Sequence, residues 1–459
     1  MFLTCIRRYV RALATTAIIA VTPVRGDAQV PTPTVTGPLP STTAGDPSRD
    51  YPFAAAAVDL KSSGWAEYEF FIEGSANRYD IQPLATAAVV DRGNAYKTRI
   101  VVRRPIAEAR FNGTVVMEWL TVSAGRDVDD DWSQLYEHLI RSGYAWVGVT
   151  TQEAGVEALK AWNQKRYGTL SVTSGRTGAR DILSYDVFAQ AAQAVKNNAG
   201  QPRIMGGLRV ERIFAMGHSQ SAGRLGIYVN SVHPLHKVFE AVILHGGGAR
   251  VREDLDIPVW KLLAETDVRP QAINRQPDTS KFRTWEVAGT SHADFKMMSY
   301  VNPLFARDGT PGAPANCEHP AYSRIPFHYV FSAAVDHLVL WVRDNTVPPA
   351  ALPIDIRAVG PPAEIARDAA GNALGGIRLP QHAVPSAVNT GVNAGPIICP
   401  LSGTYEPFDA ATLARLYPTH ERYVQQVKDA TNTSVKAGYI LAIAAAEIIA
   451  DAEKSTIGR

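Results

Sequence analysis

The chain has 459 residues, 46% of them hydrophobic and 20% charged, with 35 glycines and 30 prolines. That is ample apolar material for a sizeable core and excludes a disordered chain. Lys and Arg (46) nearly balance Asp and Glu (44), leaving +2, and no basic run carries interleaved aromatics, so nucleic acid is excluded as a partner.

At the N-terminus, Arg7, Arg8 and Arg11 precede an apolar stretch from Ala12 to Val21, too short to span a bilayer. Gly26 and Ala28 supply the small residues that a signal peptidase needs. Residues 1–28 therefore read as a signal peptide, which makes the protein secreted or periplasmic and leaves no stable membrane span in the mature chain. Cys5 departs with the signal. Cys317 and Cys399 remain, and in an oxidising compartment they are expected to form one disulfide.

Residues 29–55 are rich in Pro, Thr, Ser and Gly and read as a linker; residues 56–459 are expected to form one domain, with an extension from about 300 to 459. Strand signals come at Tyr68–Ile72 and Thr98–Val102. The pattern then changes to alternating buried strands and helices: Thr114–Leu120, a helix over Trp132–Ser142, Tyr144–Val149, and a helix over Asp181–Asn197. Further strands follow at Arg212–Met216, Ala241–Leu244, Pro258–Leu263 and Phe282–Val287. This alternation predicts an α/β fold, a mostly parallel central sheet with helices on both faces. Asp127 and Asp129–Asp131 just before the first helix read as an acidic cap region rather than a calcium site.

Between the fifth of these strands and its helix stands Gly217-His218-Ser219-Gln220-Ser221. Small residues flank a serine on a strand-to-helix turn, the arrangement that presents a nucleophile on a strained elbow. Ser219 is the candidate nucleophile. The chain order that accompanies such an elbow is serine, acid, histidine. After Pro258–Leu263 comes Ala264-Glu265-Thr266-Asp267-Val268, offering Asp267 as the acid with Glu265 as the alternative. After Phe282–Val287 comes Ala288-Gly289-Thr290-Ser291-His292, which offers His292 as the base. The acid must accept the Nδ1 proton so that Nε2 faces the serine hydroxyl. For the oxyanion hole the candidates are the amide of Gln220 and one from Leu120, Thr121 or Val122. His245-Gly246-Gly247-Gly248 follows a later strand and reads as a permissive turn. His233-Pro234-Leu235-His236 lacks a third metal ligand, and Trp119, Trp162, Tyr167 and Trp260 read as core. Tyr439–Ala450 reads as a docking helix.

Several stretches carry a resemblance: Phe111–Val116 with Glu118–Leu120, Gly143–Val149, Ser184–Asp186, Gly217–Ala222, Glu265–Val268 and Gly376–Pro380. In these the chain resembles the α/β-hydrolase superfamily, and within it a bacterial family of secreted α/β-hydrolase-domain proteins. That family usually has asparagine where Thr121 stands. The resemblance implies an α/β-hydrolase fold and serine ester hydrolysis through an acyl-enzyme, with no cofactor or metal and with a small-molecule or polymer-borne ester as substrate. The spare length of the C-terminal extension is expected to lie over the active site. A peptidase or acyltransferase would use the same three residues, and a non-catalytic binding protein the same scaffold.

Overall fold

In the computed structural model, residues 30–176, 181–197, 200, 202–310, 312 and 316–459 are described. The expected signal peptide lies outside them. The nine-stranded main sheet consists of β1 (Thr34–Thr36), β2 (Trp65–Asp80), β3 (Ala88–Pro105), β4 (Thr114–Trp119), β5 (Ala145–Val149), β6 (Arg212–His218), β7 (Ala241–His245), β8 (Val259–Ala264) and β9 (Phe282–Val287). Their spatial order is β1-β2-β3-β5-β4-β6-β7-β8-β9. β1, β2, β3 and β5 pair antiparallel; from β5 onward every pairing is parallel.

The parallel strands read as unbroken apolar runs because both sheet faces are covered. In β4, Val115, Met117 and Trp119 enter one cluster with Phe188, Ala191 and Leu225, while Val116 enters the other with Trp132, Trp146 and Phe331. Period-two alternation thus feeds two cores. Helices α1 (Asp130–Ser142), α5 (Phe295–Arg307) and α6 (Phe327–Asp344) cover one face; α2 (Ser184–Lys196) and α3 (Gln220–Ile227) cover the other. Helix α4 (Glu265–Gln271) follows β8 directly. The aromatic residues Trp119, Trp162, Tyr167 and Trp260 are all buried.

One expectation needs correction. The segment read as a linker joins the sheet edge through β1 and buries Tyr51 and Phe53 at 2% and 3% exposure, packed edge-on against Trp162. Its aromatics, spaced among the prolines, supply the anchoring that composition alone hides. The strand signals at Tyr68 and Thr98 belong to one long hairpin, β2–β3.

Beyond β9 the chain adds a hairpin, β10 (Ala387–Thr390) with β11 (Thr404–Pro407), and a helical pair, α7 (His420–Lys436) and α8 (Ala442–Lys454). The pair buries Val427, Ala444, Ile448 and Ala452 in the same core as Trp260 and Trp285. Among the described residues no helix is long and apolar enough to cross a membrane. Cys317 and Cys399 form a disulfide with a Cα–Cα distance of 5.4 Å and 82 residues of separation. Closing so long a loop contributes up to about 4 kcal/mol in the loop-entropy model. Reduction under native conditions should therefore lower Tm by about 3–5 °C in a scan with and without thiol. An unchanged Tm after complete reduction, verified by thiol alkylation, would contradict this.

Candidate active site

Strand β6 ends at His218 and α3 begins at Gln220, so Ser219 alone makes the turn. Its φ of 59° with ψ of −119° is a conformation that a side-chain-bearing residue adopts only under constraint. The Ser219 N–H donates to the His245 carbonyl at 2.9 Å, which ties the turn to β7. A Cβ on Gly217 would lie 3.1 Å from Ser221 Oγ and 3.2 Å from its carbonyl carbon, so glycine is needed there. Ser221 is tolerated where glycine is commoner because its buried hydroxyl donates to the His218 carbonyl at 2.8 Å.

The turns after β8 and β9 meet beside this elbow. His292 Nδ1 bonds Asp267 Oδ1 at 2.5 Å. The other Asp267 oxygen accepts from the Ala264 amide at 2.8 Å, and the His292 amide donates to Thr266 Oγ1 at 3.2 Å, so both partners are held from behind. Burial disfavours charge on His292, but the Asp267 carboxylate and its hydrogen bond outweigh this and lift the imidazole above the usual histidine range. Burial likewise opposes charge on Asp267; the His292 charge and hydrogen bond win and hold it below the usual carboxylate range.

Glu265 is placed elsewhere. Its carboxylate accepts from the amides of Gly289 (2.8 Å) and Gly391 (3.0 Å) and pairs with Arg367 at 2.6 Å. It stitches the β9 turn to the loop beyond β10. Glu265 and Asp267 stand two residues apart on α4, about 200° around a helix, so only one can face His292.

Sequence reasoning missed two further imidazoles. His218 and His245 are register partners at the ends of β6 and β7, and their rings lie 4.2 Å apart. The His218 ring is also 4.3 Å from that of His292. Each has its own carboxylate: His218 Nδ1 bonds Asp130 Oδ2 at 2.9 Å, and His245 Nδ1 bonds Asp131 Oδ1 at 2.7 Å. Burial, with the neighbouring imidazoles, pushes His218 down to about 4, and burial pushes His245 down to about 3. Burial raises Asp131 to about 7. Of the three stacked rings, His292 alone has its pKa raised.

The acidic stretch is therefore not a cap. No side chain of Asp129 caps α1. Glu118, the penultimate residue of β4, accepts from the amides of Asp131 and Trp132 at 3.0 Å each and from Trp146 Nε1 at 2.9 Å. Burial, then the surrounding acids, raises its pKa well above the usual carboxylate range. With the helix end satisfied from the strand, the aspartates turn inward: Asp127 to Arg99 (3.4 Å), Asp129 to Arg103 (2.5 Å), and the next two to the histidines. A glutamate inside an otherwise apolar strand run was the available signal.

Of the candidate oxyanion amides, Leu120 donates to Val149 at 3.4 Å and Thr121 to Val128 at 3.3 Å. Thr121 and Val128 form a bridge, so of the three candidates Val122 is the one whose amide has no backbone acceptor among the described residues. The Gln220 amide opens α3, where first-turn N–H groups have no intrahelical partner.

A model of the family described as "Alpha/beta hydrolase domain" matches residues 35–450. The chain belongs to the alpha/beta hydrolase domain family. Among curated proteins none matches the sequence. Solved structures similar to this α/β hydrolase include a serine hydrolase without lid from Xanthomonas campestris (TM-score 0.29, 14% identity, 52% of this chain and 97% of that one). Others are an acetyl xylan esterase from Thermoanaerobacterium (TM-score 0.28, 11% identity, 50% and 78%) and a dienelactone hydrolase from Anabaena variabilis (TM-score 0.29, 13% identity, 52% and 96%). Likeness at this level says nothing of substrate.

In this α/β hydrolase the Gly246-Gly247-Gly248 turn has a packing role. With φ of 67°, Gly246 lies so close that a Cβ would be 2.9 Å from His218 Nε2 and 3.1 Å from His292 Cε1; one on Gly247 would be 2.9 Å from the Ser219 carbonyl. The turn therefore touches serine and histidine alike. Lys261, buried in β8, holds its end by donating to the carbonyls of Gly248 (3.0 Å) and Ala249 (2.9 Å). In the His233–His236 stretch, His236 Nε2 instead faces Tyr79 Oη (2.7 Å) and Asp186 (3.2 Å). No group of three or more metal-ligating side chains gathers among the described residues.

Proposed function

We propose that this α/β hydrolase is an exported serine carboxylic-ester hydrolase working through an acyl-enzyme on Ser219, with His292 as base and Asp267 orienting it. The observation that carries the reading is the Asp267–His292 bond, built on turns after neighbouring parallel strands beside a serine held at positive φ. His292 Nε2 takes the proton from Ser219 Oγ as the oxygen attacks the ester carbonyl carbon. The amides of Gln220 and Val122 receive the developing oxyanion, a contribution of about 3 kcal/mol per donor. The imidazolium then returns the proton to the leaving alkoxide, and the alcohol departs. Water, activated by the same nitrogen, releases the acid. With His218 and His245 held neutral by burial, the proton has one place to go.

Export is supported by the basic and apolar leader of residues 1–28 and by the Cys317–Cys399 disulfide, which suits an oxidising compartment. A fluorophosphonate probe should label Ser219 alone, and a panel of 4-nitrophenyl esters of rising acyl length should be turned over while matched anilides are not. Labelling at another serine overturns the assignment. Amide cleavage at comparable kcat/KM transfers the protein to the peptidases, and no labelling with no turnover favours a binding protein.

A further inference from the structure

We propose that Arg324, packed against Phe295 and Tyr405 on the His292 side of the site, is an anion subsite that takes a carboxylate carried by the ester substrate. The proposal rests on the esterase reading and adds a substrate class to it.

The Arg324 Cζ lies 4.7 Å over the Phe295 ring and 4.1 Å over the Tyr405 ring. The guanidinium thus lies against two aromatic rings, which stabilise the cation without using its donors. The guanidinium N–H groups lie in its own plane, in the fork geometry that matches a carboxylate. Arg324 is exposed, and no carboxylate or carbonyl accepts from its side chain among the described residues; only its backbone amide is engaged, by Asn389 Oδ1 at 2.9 Å. Buried arginines of this chain, by contrast, are neutralised: Arg99 and Arg103 each face two carboxylates. The acid next to Tyr405 in sequence, Glu406, is turned to the opposite face of β11 and pairs with His319 Nδ1 at 2.7 Å.

The cluster is fixed to the loop that carries His292. The amide of Ala293 donates to the Leu401 carbonyl at 2.9 Å, and that of Phe295 to Ser323 at 3.1 Å. Ser323 Oγ donates to the Gly289 carbonyl at 2.5 Å and its amide to Ser402 at 3.1 Å; the Tyr405 amide bonds Pro320 at 3.0 Å. The disulfide at Cys399 lies just before Leu401 and Ser402. Phe295 follows His292 by three residues, a span of at most about 10 Å. The proposal requires a carboxylate joined to the scissile ester by a chain that bridges from Ser219 to the arginine, a length that a series of substrates measures. Packing against two rings restricts the guanidinium, which lowers the rotamer entropy lost on binding.

Mono-4-nitrophenyl esters of straight-chain dicarboxylic acids, from succinate to suberate, should be compared with neutral alkanoates of matching length. At the preferred length the free carboxylate should raise kcat/KM by about tenfold or more over its neutral partner, an advantage that falls with added salt. Arg324→Gln should bring this ratio to about one, and Tyr405→Ala should raise KM for the anionic series more than for the neutral one. Suberate itself should raise the Tm of the parent protein and not that of Arg324→Gln. No anion preference at any length overturns the inference and leaves the esterase reading intact, as does an equal loss in both series for Arg324→Gln, which marks a packing role. Failure to hydrolyse either series, with Ser219 unlabelled, overturns the esterase reading and the subsite with it.

Discussion

Ser219→Ala is expected to remove ester hydrolysis almost entirely, with a fall in kcat on the order of 10⁶-fold. In the proposed reaction the serine oxygen bonds to the acyl carbon, and alanine would leave only the oxyanion amides and substrate positioning to act on water. His292→Ala should cost about as much, because an unassisted serine hydroxyl is a weak nucleophile near neutral pH. The double variant should be little worse than either single one, since the two groups act as a unit. Relief of the φ of 59° at position 219 does not follow from alanine, which also carries a Cβ, so the fold should be retained. Full-time-course assays with single-turnover controls, alongside thermal melting, check each point. Substantial hydrolysis by Ser219→Ala would refute acyl-enzyme catalysis at this residue.

Asp267→Asn is expected to lower kcat by roughly 10⁴-fold while changing substrate affinity far less, because asparagine no longer fixes the tautomer or stabilises the imidazolium. Glu265→Gln should affect stability more than kcat, since its carboxylate holds Gly289, Gly391 and Arg367. The pH dependence gives an independent readout. The base must be neutral to accept a proton, so kcat/KM in the parent rises with pH through the His292 pKa. That value lies above the ordinary 6.5, because Asp267 outweighs burial. Without that carboxylate, burial opposes the charge with only Asp130 still favouring it, and the inflection should move to lower pH. An unmoved inflection would assign the titration to another group, such as Asp131, which burial raises to about 7. The same pair makes a stability window. The raised His292 pKa stabilises the fold fully below about 6.5 and is lost as pH rises through the folded value; the depressed Asp267 pKa stabilises above about 3.8 and is lost as pH falls. The contribution is thus largest between those limits, and in Asp267→Asn the Tm should fall most there.

Much of this was legible in order along the chain. Strands buried on both faces advertise themselves as continuous apolar runs, so β4 to β9 could be placed within a residue or two. A serine between a strand and a helix, with small neighbours, marks an elbow because the steric need is local: Gly217 and Ser221 touch each other across it. His292 stood out because it follows the last parallel strand in a Gly/Ser turn. The cysteine pair followed from count and compartment.

What tertiary structure alone decided was direction. Two carboxylates, Glu265 and Asp267, occur in one turn, and only the phase of α4 against the β9 loop selects the second to face His292. Asp130 and Asp131, in the first turn of α1, looked like caps because capping is a local bond; they are free to pair with His218 and His245 because Glu118, on β4, takes the helix amides. Residues 34–36 looked like linker because a three-residue edge strand has no periodicity to display until β2 pairs with it. Sequence determined which residues could do chemistry and in what order, since backbone propensity and burial patterns are short-range. Which of them meet was decided by hydrogen bonds between separate segments, from 25 residues apart for Asp267 and His292 to 114 for Asp131 and His245, satisfied only when the sheet brings the strand ends together.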